Sequence, residues 1–209
     1  MPGTDSLLLF VLATLTLNVT PGPDMLYVIA RRAGQGRSAG FVSALGVAAG
    51  LLLHTLLVAC GLAGLLLTAP AAFDVVKYAG AAYLVYLGVR ALTSRRRTEV
   101  NQGVTKSGLG SVFLQGALTN LLNPKVALFF LAFLPQFVDH SRGSVAPRIL
   151  LLGLLFNLLG TSVNVAVAPA ASFAGGRFKL RVGDAAAFRW LTGGALIGLG
   201  LRLALLERR

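Results

Sequence analysis

Apolar residues run through the chain in six stretches, separated by short polar or charged segments: Leu7–Ala30, Gly40–Thr68, Ala71–Leu92, Leu109–Val138, Ile149–Ala168 and Ala185–Leu206. A helix needs about 20 apolar residues to cross the hydrocarbon core of a bilayer, so each stretch predicts one crossing. The first and fourth are interrupted by proline, asparagine and charge. The expected fold is all-α and integral to the membrane, with six transmembrane helices of which the first and fourth are broken.

Segment Thr93–Ser107 is polar and basic, and reads as a linker between two groups of three spans. The chain is then a single membrane transport domain. Repeat one covers about 1–92, the linker about 93–108 and repeat two about 109–209. Because three is odd, the second group must lie inverted relative to the first.

Composition sharpens this picture. The 209 residues are 56% hydrophobic and 12% charged, with a mean hydropathy of +0.77. Soluble domains carry about 25% charged residues, and a soluble domain of this size must still cover itself with polar surface. The net charge of +12 does not point to nucleic acid, because the basic residues sit in short loops between apolar runs. The first, third and fifth loops hold eleven of them, from Arg31 to Arg189, and the other side holds five. The positive-inside rule therefore predicts cytoplasmic odd loops and both termini outside. Trp190 and Tyr78 fall near span ends, where an aromatic belt is the ordinary explanation.

Several classes drop out. The single cysteine, Cys60, cannot form an intrachain disulfide, and two histidines with one cysteine are too thin a set for metal binding or metal export. No cofactor is called for. Nothing resembles a carboxylate pair or a nucleophile–base pair, so an enzyme is not expected. Asp5 and the lack of a positive segment before Leu7–Val19 argue against a cleaved signal peptide.

The two interruptions carry the chemistry. The first reads Asn18-Val19-Thr20-Pro21-Gly22-Pro23-Asp24, the second Thr119-Asn120-Leu121-Leu122-Asn123-Pro124-Lys125. Proline deletes a backbone donor and clashes with the preceding turn, so each site should kink or unwind its helix. Unwound backbone is tolerated at membrane depth only where it faces protein or a wet cavity. Interruptions at matching positions of an inverted repeat point to a transporter's substrate site; a pair of ordinary proline kinks is the plain alternative. Pro23 and Pro124 can each open a new half-helix, whose free N–H groups suit a carboxylate. Asp24 and Lys125 each follow that proline and are candidate partners for one another, since intramembrane charges are costly and usually functional. Asp24 could instead hold a substrate ammonium group or carry a coupling proton.

The second helix of each half bears a polar stripe. Asn157, Thr161 and Asn164 share one helical face. Ser43, Gly46, Gly50, His54 and Gly61 make a similar stripe, with close-packing spacing at Gly46-x-x-x-Gly50. Cavity lining and interhelical bonding are both open for these residues. His54 is a second candidate proton carrier, or a neutral histidine bonded to a backbone carbonyl.

Two runs resemble a known family. Thr20-Pro21-Gly22-Pro23-Asp24-Met25-Leu26-Tyr27-Val28-Ile29-Ala30-Arg31, followed by Gly34-Gln35-Gly36-Arg37-Ser38-Ala39-Gly40, is similar to the N-terminal signature of the LysE-type translocators, closest to the homoserine/threonine efflux branch. Asn120 to Phe130, continuing to Leu134-Pro135-Gln136-Phe137, resembles that family's central signature. The resemblance implies secondary active export of amino acids across the bacterial inner membrane, driven by the proton-motive force. By the same resemblance Pro21, Gly22, Pro23, Asp24, Asn120, Asn123, Pro124 and Lys125 are the site residues. The partners implied are the lipid bilayer, an amino acid and protons, with oligomeric state open, a homodimer included. A passive channel or release pore of the same fold is the rival reading.

Overall fold

The computed structural model describes residues 4–68, 70–93, 105–138, 145–173 and 186–205. All regular structure among them is helical. The first interrupted stretch forms α1 (Thr4–Val19) and α2 (Pro23–Gln35), which meet at a bend of 51°. Next come α3 (Arg37–Thr68) and α4 (Pro70–Thr93). The second interrupted stretch forms α5 (Leu109–Leu121) and α6 (Pro124–Leu128). Helix α6 runs on through a π turn (Phe129–Phe133) and a 3₁₀ turn (Leu134–Phe137), and the break before it bends the path by 48°. Helices α7 (Ala146–Phe173) and α8 (Ala186–Leu205) complete the set.

Two helices are long and apolar enough to cross a membrane, within α3 and α7, and up to four if each bent pair is one span. The third and sixth predicted stretches coincide with α4 and α8, of 24 and 20 residues. Most of the basic linker, at 94–104, and Arg177, Lys179 and Arg181 lie outside the described residues.

Helix α3 packs on α5 and α7, and α4 packs along α8. Glycine makes both close pairings. A Cβ on Gly46 would fall 2.1 Å from the carbonyl oxygen of Phe113, and one on Gly116 would fall 2.7 Å from that of Ser43. On the other pair, a Cβ on Gly88 would come within 2.6 Å of the Gly193 carbonyl oxygen. In lipid, helices associate by such close backbone approach rather than by burying oil. Outward-facing positions stay apolar, with Leu57, Leu158 and Leu191 all exposed. Trp190 and Tyr78 are exposed as well, as belt residues would be.

A cluster of buried aromatic rings surrounds the π turn. Phe129, Phe130 and Phe133 are buried, together with Phe10 of α1 and Phe156 of α7. Phe129 and Phe130 lie 4.9 and 5.1 Å from the Phe156 ring, and Phe10 meets Phe137 edge-on at 5.2 Å. Single π turns inside helices re-aim side chains and often mark functional positions. Here the turn gathers aromatic rings into one apolar block beside the second break.

Candidate functional site

A regular helix would send the N–H of residue 21 to the carbonyl of Leu17, four residues back. Pro21 has no N–H, so the Leu17 carbonyl loses its donor. The Lys125 ammonium replaces it, donating to the carbonyl oxygens of Leu17 and Thr20 at 2.9 Å each. The same logic holds at the second break. Pro124 deprives the Asn120 carbonyl of its donor, and two substitutes approach it. They are the Asn123 backbone N–H at 2.9 Å and His54 Nε2 from α3 at 3.3 Å. A carbonyl only accepts, so Nε2 of His54 carries the proton in this contact. Each break thus takes a side-chain donor from the other half of the chain.

Asp24 completes the crossing. It lies in the first turn of α2, at the positive end of that helix. Its Oδ2 accepts from the side-chain amides of Asn120 at 2.8 Å and Asn123 at 3.0 Å. Asn123 works in two directions, because its Oδ1 also caps α6 by accepting from the Lys125 N–H at 3.0 Å. The other carboxylate oxygen, Oδ1 of Asp24, is buried and has no hydrogen-bond partner.

Among the described residues no hydrogen bond joins Asp24 and Lys125, and their charges act on one another through space instead. The reason is electrostatic. The Lys125 ammonium is drawn to the negative, carbonyl end of α1, while Asp24 sits at the positive end of α2 and takes amide donors. Both still line one cavity, with Asn18, Asn164, Leu17 and Leu51 among its walls. Its volume is about 10 Å³, room for about one water. Gly22 gives Lys125 its path: a Cβ there would lie 3.0 Å from the ammonium nitrogen.

The polar stripes divide between the two roles left open. Asn157 donates to the Ala48 carbonyl of α3 at 2.9 Å, and Thr161 donates to Asn157 Oδ1 at 3.0 Å. Asn157 ties α7 to α3, and Thr161 braces it from one turn further along α7. Asn164 lines the cavity. On α3, Gly46 and Gly50 receive α5, and His54 packs its ring 5.8 Å from that of Phe130.

One cluster is not legible as a site in the sequence, where Arg31 ends the first family-like run and otherwise reads as a loop charge. Arg31 is buried, and it reaches Gln35, the Thr105 carbonyl and Gln115. Tyr27 donates to the Val112 carbonyl at 2.8 Å, and Gln35 bonds the backbone of Ser107. The signal was present: Tyr27, Arg31 and Gln35 recur every four residues on α2, one face of a helix.

Helices broken at paired prolines, with opposite charges at a shared cavity, define the class of membrane transport proteins. Residues 15–207 match the family described as LysE type translocator. The chain belongs to that family of translocators. It is 32% identical over 160 residues to a leucine efflux protein of Salmonella choleraesuis, covering 75% of this chain and 71% of that one. An uncharacterized membrane protein of Pseudomonas aeruginosa is 34% identical over 204 residues, 93% of each chain. Another, from Bacillus subtilis, is 31% identical over 163 residues, 74% of this chain and 77% of that one. No solved structure matches.

Lys125→Met removes the donors from two buried carbonyls and should destabilise the protein by about 1–3 kcal/mol per orphaned carbonyl. Lys125→Arg, which keeps charge and donors, should cost less. Thermal unfolding in detergent measures both. Equal stability of Lys125→Met and the parent would mean those carbonyls find other donors.

Proposed function

We propose that the chain exports neutral amino acids from the cytoplasm in exchange for protons, and that the crossed breaks are its substrate and coupling site. The observation that carries this reading is the buried carboxylate oxygen of Asp24, an acceptor without a donor beside a small cavity. An acceptor of that kind suits a substrate ammonium group or a proton. Leu17, Val47, Leu51 and Val126 give the cavity apolar walls, which favours an aliphatic side chain such as leucine over the hydroxylated ones of homoserine and threonine. The leucine efflux relative supports the same order.

At about 10 Å³ the cavity is far below the roughly 300–1,000 Å³ of ordinary ligand pockets. The arrangement therefore fits a closed state, which transport would open alternately to the two sides. The architecture that goes with it is six crossings in two inverted repeats. Its support is the packing of α1 on α7 mirrored by α5 on α3, together with the third helices α4 and α8 lying side by side. The membrane is the inner one, the odd loops face the cytoplasm, and both termini face outward, by the placement of basic residues.

Topology is checked by single-cysteine labelling. With Cys60 replaced by serine, a cysteine placed within 94–104 should react with an impermeant maleimide only when the cytoplasmic face is open to the reagent. Reaction in intact cells would reverse the orientation.

Transport itself is measured as uptake of labelled leucine into inside-out vesicles energised by a proton gradient. The parent should accumulate leucine and lose accumulation when a protonophore is added; uptake insensitive to the protonophore would identify a passive pore. Asp24→Asn keeps the shape, removes the charge, and should lower uptake at least a hundredfold with the protein still in the membrane. Full uptake by that variant would remove Asp24 from both ammonium binding and proton coupling.

A further inference from the structure

Helices α2 and α5 run side by side, and polar contacts tie them at both ends. At one end Asp24 holds Asn120 and Asn123. Seven residues further along α2, about 10 Å at the helical rise, Arg31 ties α2 to α5 and to the segment before it. Its guanidinium donates from Nη1 to Gln35 Oε1 and to the Thr105 carbonyl, each at 3.2 Å. From Nη2 it donates to Gln115 Oε1 at 2.5 Å, and its charge lies over the Tyr27 ring at 5.4 Å. Every one of these acceptors is neutral. Arg31 is only 7% exposed, so among the described residues a buried cation is satisfied without a carboxylate.

That is an unusual arrangement for arginine, whose planar fork matches a carboxylate with two parallel bonds. Bonds to an ionised acceptor are roughly twice as strong as those between neutral groups. A carboxylate arriving at this end of the seam would outcompete Gln115 and the Thr105 carbonyl for the guanidinium. The exchange would release α2 from α5 as the newcomer is held.

We propose that Arg31 is an entry site for the carboxylate of the transported amino acid, with Gln115 and the Thr105 carbonyl occupying it while the seam is shut. This rests on the export reading above. Binding at Arg31 and opening of the α2–α5 seam are then one event. An amino acid is too short to bridge about 10 Å, so Arg31 precedes the Asp24 cavity on the route rather than forming part of it.

The test uses the same inside-out vesicles, with labelled leucine as the probe and leucinamide, which lacks the carboxylate, as competitor. In the parent, leucinamide should compete poorly. Arg31→Gln should raise the half-saturating leucine concentration about tenfold or more, with a smaller change in maximal rate, and should narrow the gap between leucine and leucinamide. Arg31→Lys keeps the charge without the fork and should fall between. Gln115→Ala removes a competing acceptor and should lower the half-saturating concentration severalfold.

That last sign separates the entry site from a purely structural latch, in which Arg31→Gln and Gln115→Ala would act in the same direction. Equal discrimination against leucinamide in parent and Arg31→Gln would overturn the proposal while leaving amino-acid export standing. If Arg31→Gln is lost from the membrane, Arg31→Lys and Gln115→Ala decide the matter, and parental half-saturation in both would overturn it. Absence of any amino-acid uptake by the parent would remove the export reading and this inference together.

Discussion

A proline inside a membrane helix leaves a carbonyl without its donor, and hydrocarbon supplies no water to replace it. An unsatisfied backbone group in lipid costs several kcal/mol. This chain places such prolines in two helices and solves the problem by exchange. Lys125 serves the carbonyls exposed around Pro21, and His54 approaches the one exposed by Pro124. The two halves are therefore held together at the places where each is weakest. Glycines 46, 50 and 116 then bring α3 and α5 close enough for His54 to reach.

That dependence bears directly on movement. Donors and acceptors that cross between halves resist separation only while nothing better is offered. Among the described residues Asp24 Oδ1 lacks a donor and Arg31 has no anionic acceptor. A zwitterionic amino acid carries both missing groups, an ammonium and a carboxylate. In the proposed cycle the substrate competes for the very contacts that keep the halves closed. Beside the second break the packing is of another kind, since Phe10, Phe129, Phe133 and Phe156 form a block with no polar atoms in their side chains.

Sequence went far in this chain because the membrane makes demands that composition cannot hide. Helix positions followed from apolar length, and the breaks from proline chemistry that acts locally and shows in seven consecutive residues. What sequence could not supply was direction. It offers Asp24 and Lys125 as partners by charge and by their matching places after a proline, whereas the helix ends decide the hydrogen bonds, sending the ammonium to the carbonyls and the carboxylate to the amides. Nor could it divide Asn157, which ties α7 to α3 with Thr161 bracing it, from Asn164, which lines the cavity, because all three share one stripe. Arg31 was hidden by its own charge: near a span end, a basic residue is ordinarily explained by the positive-inside rule.

The most direct measurement asks whether an amino acid occupies the crossed breaks. Asn164→Cys in a protein with Cys60→Ser places one thiol on the cavity wall, away from the bonds that hold the breaks together. Its alkylation rate with N-ethylmaleimide is followed with and without leucine. Leucine is expected to slow the reaction severalfold, and to lose that effect when Asp24→Asn is added. An unchanged rate at leucine concentrations that saturate transport would place the substrate elsewhere in the protein.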